Sequence, residues 1–119
     1  MTIIANNKKA QHDYTLEQRF EAGISLDGWE VKSLREGRGQ LKESYVIIKG
    51  GQVWLVGAHI SPLATTSTQT NANPTRDRKL LLHQKQIKTL TGEIQQQGYT
   101  LVATKLYWKN QLVKCEIAL

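Results

Sequence analysis

The chain has 119 residues, enough for one domain with its own core and not for two, so residues 1–119 are expected to form a single folding unit. Sixteen Lys and Arg against ten Asp and Glu give a net charge of +6, which favours a polyanionic partner, either nucleic acid or an acidic membrane surface. Cys115 is the only cysteine, which excludes an internal disulfide, and no apolar run approaches the roughly 18 residues of a membrane span.

In chain order, residues 1–6 are expected to be a flexible N-terminus. Lys8 and Lys9 follow a very short apolar run, Ile3-Ile4-Ala5, the reverse of a secretory signal, so the expectation is a cytoplasmic protein. Asn6 to Asp13 is polar and basic, with Asn7, Lys8, Lys9 and His12 close together, and is open between a short helical turn and a flexible arm. From Tyr14 the period becomes two: Tyr14, Leu16, Phe20, Ala22 and Ile24 share one parity, which predicts a half-buried strand of about eleven residues. Asp27 followed by Glu30 is a capping box that starts a helix at Gly28, and Gly37 supplies the left-handed residue that ends it. Val31 and Leu34 give this helix an apolar stripe. At about nine residues it is too short to be stable without a surface to lie on. Lys32 and Arg35 sit away from the stripe with Arg38 just beyond, and they read either as a cationic face or, for Lys32 with Glu36, as a solvated pair at i,i+4.

Ser44 to Lys49 and Gln52 to Ile60 are rich in β-branched and aromatic residues and flank Gly50-Gly51, a hairpin signal. Residues 61–75 carry two prolines and no charge and are expected to be a mobile loop. A strand is placed at Lys79 to Leu82 and a helix at His83 to Gln97, where Ile87, Leu90 and Ile94 keep helical spacing before Gly98. A second hairpin pairs Tyr99 to Lys109 with Leu112 to Leu119 around Asn110-Gln111. The alternation of short strands, hairpins and helices predicts a mainly β chain, a small closed antiparallel barrel with helices outside.

His12, His59, His83 and Cys115 have no pair at metal-ligand spacing, so no metal or cofactor is expected. Two histidines near a lysine are the residue types for acid–base cleavage of RNA, which leaves a small ribonuclease as one reading. RNA binding without catalysis fits the composition better, since Lys and Arg neutralise phosphates and Tyr or His faces stack on unpaired bases. Residues 51–119 hold five of the six net positive charges. Tyr14 is open between a stacking platform and a core residue, and Leu81 is open to a plain core role. Glu21 would repel phosphate, and so either accepts from a base edge or 2′-hydroxyl, holds a neighbouring cation, or forms a cross-strand ion pair.

Several ungapped motifs then fall in one order: Asn7-Lys8-Lys9-Ala10 with His12-x-Tyr14, Glu21-Ala22-Gly23, Gly28-Trp29-Glu30-Val31-Lys32-Ser33-Leu34-Arg35, Ser44-Tyr45, Pro74-Thr75-Arg76, Arg78-Lys79-Leu80-Leu81-Leu82 and Leu106-Tyr107. From Asn7 to Leu119 the chain resembles the SmpB family, bacterial partners of transfer-messenger RNA. The resemblance implies an oligonucleotide-binding-like barrel of about six strands with three helices. It implies a non-enzymatic adaptor that binds the tRNA-like part of transfer-messenger RNA and brings it to stalled ribosomes for trans-translation, with elongation factor Tu and the small ribosomal subunit as further partners. On that likeness Asn7, Glu21 and Leu81 match positions important for RNA binding, with Tyr14, Lys32, Arg35, Tyr45, Arg78 and Lys79 as neighbours; Lys8, Lys9, His12 and Arg76 are counted with them. The alternative is a general single-strand or ribosomal RNA-binding barrel driven by charge. The family usually continues into a basic tail beyond the position of Leu119. The likeness therefore implies that residues 1–119 alone bind the RNA without supporting tagging, which a reconstituted tagging assay checks.

Overall fold

Strands form where apolar residues alternate, and helices where capped stretches lay an apolar face on them. The computed structural model describes residues 2–14, 16–63 and 72–119. Its strands are β1 (Thr2–Asn6), β2 (Arg19–Ile24), β3 (Gly39–Gln40), β4 (Tyr45–Lys49), β5 (Gln52–Val56), β6 (His59–Ile60), β7 (Arg78–Leu81), β8 (Val102–Lys109) and β9 (Leu112–Ala118). The helices are α1 (Lys8–Asp13), α2 (Gly28–Arg35) and α3 (Gln84–Gln97). Seven strands form one antiparallel sheet in the order β1-β8-β9-β2-β7-β5-β4, and β3 pairs with β6 in a second. The chain is thus mainly β with three helices, as expected, although its strands outnumber the anticipated six.

Two of the extra strands have identifiable causes. Residues 1–6 were expected to be flexible, but Thr2–Asn6 pairs with β8, Ile3 opposite Tyr107 and Asn6 opposite Lys105. The amides of this short end find carbonyl partners on an otherwise open strand edge, and its Ala5 joins the core. The predicted strand from Gln52 to Ile60 is divided at Gly57, whose φ of +79° turns the chain out of β5 before β6 begins. A Cβ at Gly57 would lie 2.8 Å from the Glu43 carbonyl oxygen, whereas one at Gly50, φ +62°, would meet nothing within 4 Å. Both alanine substitutions incur the left-handed cost of roughly 1–2 kcal/mol. Gly57→Ala is expected to lose more than Gly50→Ala in urea denaturation because it adds the clash, and equal losses would show that the Glu43 segment relaxes.

The strand predicted from Tyr14 is also shorter, beginning at Arg19. Tyr14 instead closes α1, its amide donating to the Ala10 carbonyl at 3.1 Å. The predicted start of α2, both hairpin turns and the helix ending at Gly98 are found where the sequence put them. Of the loop expected over residues 61–75, residues 64–71 lie outside the described residues.

One parity of each strand builds the core. Ala22, Val53, Leu55, Leu80, Leu106, Cys115 and Ile117 are all essentially inaccessible, and Leu34 of α2 and Leu90 of α3 join the same cluster. Full burial of a leucine contributes about 1.5–3 kcal/mol. Burial pushes the Cys115 thiol up to about 12, which keeps it protonated and inert. The opposite parity of β2, β7, β8 and β9 forms the outer face of the sheet.

Candidate nucleic-acid interface

Glu21 lies on that outer face. Its Oε2 accepts from the Tyr107 hydroxyl at 2.6 Å, and its Oε1 accepts from Lys109 Nζ at 3.2 Å. These two bonds, Tyr107 first, hold the Glu21 carboxyl below its ordinary range. Burial and then the bond to Glu21 raise the Tyr107 phenol above its own, so it remains a donor. Two residues along β2, Gly23 stands opposite Leu81 on one side and Lys114 on the other. The missing side chain at Gly23 lets Leu81 lean across, since a Cβ there would lie 3.2 Å from Leu81 Cβ. Leu81 is nevertheless 52% exposed. A depression of about 560 Å³ opens here, with Glu21, Lys79, Leu81, His83 and Lys114 in its lining. Glu116, the cross-strand partner of Glu21, is engaged by Arg19 at 3.0 Å and by the Thr104 hydroxyl. The outer face therefore combines lysines with an exposed leucine around a carboxylate held by its neighbours.

A second group lies around Tyr14 and Tyr45, which are 48% and 52% exposed. With Asn7, Lys9 and Lys42 they line a depression of about 260 Å³. Exposure settles the alternatives for Tyr14 against a core role. Asn7 is buried and acts on the backbone: its Oδ1 accepts from the Ala10 amide at 3.2 Å, and its Nδ2 donates to the Ala103 carbonyl at 2.9 Å. It fixes α1 to β8 and so sets the direction of the exposed Lys8, Lys9 and His12. His12 itself contacts Asp13 at 3.2 Å. His59, on β6, meets Ser61, and His83 caps α3, so the three histidines belong to three different elements.

Lys32 and Arg35 project from α2 into solvent, and among the described residues neither joins an ion pair, Glu36 included. The buried side of α2 is not the Val31–Leu34 stripe alone; Trp29, Glu30, Ser33 and Leu34 are buried. Glu30 Oε1 accepts from the Asp27 amide at 2.7 Å and from Arg76 Nη2 at 2.5 Å, and Oε2 accepts from Arg76 Nε at 3.0 Å and Arg78 Nε at 2.5 Å. Arg78 also donates to the carbonyls of Ala58 and Pro74 at 2.7 and 2.9 Å. Arg78 is completely buried. The sequence reading placed it among the RNA contacts, and this is corrected: its guanidinium is enclosed by protein acceptors and offers nothing to a phosphate. Arg76, counted with it, has 28% of its side chain exposed and is likewise engaged by Glu30.

Burial pushes the Glu30 carboxyl up, but the bonds from Arg76, the Asp27 amide and Arg78 outweigh it and leave the carboxyl below its usual 4.5. A carboxyl lowered in the folded state gives stability that is fully present above its unfolded value and is lost as pH falls through the folded one. Acid titration of the melting temperature should therefore show a decline below about pH 4.5 that is shallower in Glu30→Gln. An identical pH slope in the variant would assign the acid sensitivity to other carboxylates.

The residues proposed from sequence thus separate into the Glu21, Lys79 and Leu81 patch, the Asn7, Lys8, Lys9, His12, Tyr14 and Tyr45 group, the α2 pair, and the buried clamp. Sequence reasoning missed Tyr107, Lys109 and Lys114 beside Glu21, and Lys42 beside Tyr45. The signal existed for two of them: Lys105, Tyr107 and Lys109 share a parity opposite to Leu106, which marks an outward basic row around one aromatic ring.

Comparison with known proteins agrees in family and extent. The family model described as SmpB protein matches residues 4–119. A curated SsrA-binding protein of Azotobacter vinelandii is 61% identical over 116 residues, covering 98% of this chain and 72% of the relative. The SsrA-binding protein of Pseudomonas aeruginosa is also 61% identical, covering 98% of this chain and 73% of its own length. A solved structure described as "tmRNA-SmpB: a journey to the center of the bacterial ribosome" superimposes with a TM-score of 0.75 at 38% identity, covering 94% of this chain and 78% of that one.

Proposed function

Because the chain belongs to the SmpB protein family, we propose that it is a non-enzymatic RNA-binding protein that binds transfer-messenger RNA, the SsrA RNA, and acts with it at the ribosome in trans-translation. The observation that carries this is 61% identity to an SsrA-binding protein across 98% of the chain. The finer reading is an adaptor that recognises the tRNA-like domain and delivers it to stalled ribosomes, with elongation factor Tu and the small subunit as further partners. Shape recognition of a folded RNA needs fixed, exposed contacts on a rigid surface. The outer sheet face supplies them in Lys79, Leu81, Lys109 and Lys114 around Glu21, and Tyr14, Tyr45, Lys8, Lys9 and His12 form a second set. Lys32 and Arg35 add two cations without acidic partners among the described residues. We infer also that the sheet curls into a closed barrel, a reading supported by Ala5 of edge strand β1 and Val46 of edge strand β4 joining one core cluster.

The test compares affinity for the tRNA-like domain of transfer-messenger RNA with that for an elongator tRNA of similar length at one physiological salt concentration. Matched length removes most of the phosphate contribution. A preference of tenfold or more, about 1.4 kcal/mol, supports the adaptor. Equal affinities favour the charge-driven barrel, which the +6 net charge would sustain.

A further inference from the structure

At the tip of the β8–β9 hairpin, Trp108, Asn110 and Gln111 line a depression of about 230 Å³ together with Arg35 from the end of α2. It lies apart from the Glu21 patch, because Trp108 has the strand parity opposite to Tyr107. Trp108 sits between two strands, opposite Thr2 of β1 and Val113 of β9, and packs partly against the core. Its indole is therefore a pre-positioned, partly exposed flat surface. Asn110 takes the left-handed φ of +55° that closes the turn, which leaves its own amide and that of Gln111 exposed beside the indole. Arg35 is exposed, forms no ion pair among the described residues, and belongs to a helix fastened by the buried Glu30 clamp.

Each part matches one portion of the same ligand. An indole face stacks on a base of any identity. A side-chain amide offers a donor and an acceptor, as a base edge does. A guanidinium takes a phosphate through paired N–H donors. No carboxylate lines the depression to repel that phosphate. An acidic peptide would satisfy the arginine but leave the indole and amides without a matching surface. The geometry points to a separate pocket for one unpaired nucleotide of RNA, with its base on Trp108, its edge against Asn110 or Gln111, and its phosphate on Arg35. The pocket rests on the reading of this protein as an RNA binder and adds a single-stranded contact to it.

The probe is a single-stranded RNA pentanucleotide of mixed sequence, followed through the indole N–H resonances of the three tryptophans. Trp108 is assigned by the loss of its signal in Trp108→Phe, which keeps an aromatic ring in the core contact. On addition of the pentanucleotide the Trp108 resonance is expected to shift while that of the buried Trp29 stays in place; Trp54, paired with Lys79 on the outer sheet face, reports on the Glu21 patch instead. Arg35→Gln, an exposed change without a folding role, is expected to weaken the pentanucleotide about tenfold, the scale of one lost hydrogen-bonded contact to a charged phosphate, and Gln111→Ala to weaken it less. A Trp108 resonance unmoved at saturating RNA, or an affinity unchanged by Arg35→Gln, would overturn the pocket. The two readings fail separately. Loss of preference for the tRNA-like domain with a shifting Trp108 removes the adaptor and keeps the pocket, and the reverse pattern removes the pocket alone.

Discussion

Replacing Arg78 with alanine is expected to lower folding stability by roughly 3–5 kcal/mol, the cost of removing one partner from a buried ion pair. The loss has two sources. Glu30 would remain buried with a carboxylate facing only Arg76 and the Asp27 amide, and the carbonyls of Ala58 and Pro74 would lose their donors. Against a total stability of about 5–15 kcal/mol for a domain of this size, that removes a large share. Arg76→Ala should cost clearly less, because its side chain is 28% exposed and water can replace part of what it supplies. Arg78→Lys should rescue little, since an ammonium cannot span a carboxylate and two carbonyls as a planar fork does. Urea midpoints at unchanged slope measure all three. An unaltered midpoint for Arg78→Ala together with weakened RNA binding would return Arg78 to the interface and refute its role as a clamp.

The same clamp marks where the sequence is readable and where it is not. Asp27, Glu30 and Gly37 announce the limits of α2, because capping is a local transaction between residues three apart. Nothing local announces that the Glu30 carboxylate also belongs to two arginines 46 and 48 residues away, so Arg78 read as one more surface cation. Both hairpins were legible from their turn residues and alternation. Strand β1 was not, since the edge it pairs with belongs to β8 and is supplied about a hundred residues later. For the site, parity turned Glu21 outward, but the grouping of Glu21, Lys79 and Leu81 came from family likeness alone. Their assembly depends on β2 lying between β7 and β9, a sheet order that strand periodicity does not encode. Lys114 was overlooked for that reason, although its strand was predicted, whereas Lys109 was missed despite the outward parity it shares with Lys105 and Tyr107.

Glu21→Ala is expected to weaken binding of the tRNA-like domain about tenfold, or 1.4 kcal/mol, while the melting curve stays within the roughly 0.5 kcal/mol typical of surface changes. The direction is informative because charge alone argues the other way. Removing a carboxylate from a basic protein raises its general attraction for phosphate, so unrelated RNA of equal length should bind as well as before or better. A loss confined to the specific RNA would show that Glu21 acts through geometry, by holding the Tyr107 hydroxyl and the Lys109 ammonium in place. Glu21→Gln, whose amide oxygen still accepts from Tyr107, should recover part of the affinity. Tyr107→Phe decides between holding and touching. If Glu21 orders its neighbours, losing the hydroxyl reproduces part of the Glu21→Ala defect. If Glu21 instead accepts directly from a base edge or a 2′-hydroxyl, Tyr107→Phe frees the carboxylate for that contact, and affinity is unchanged or improved.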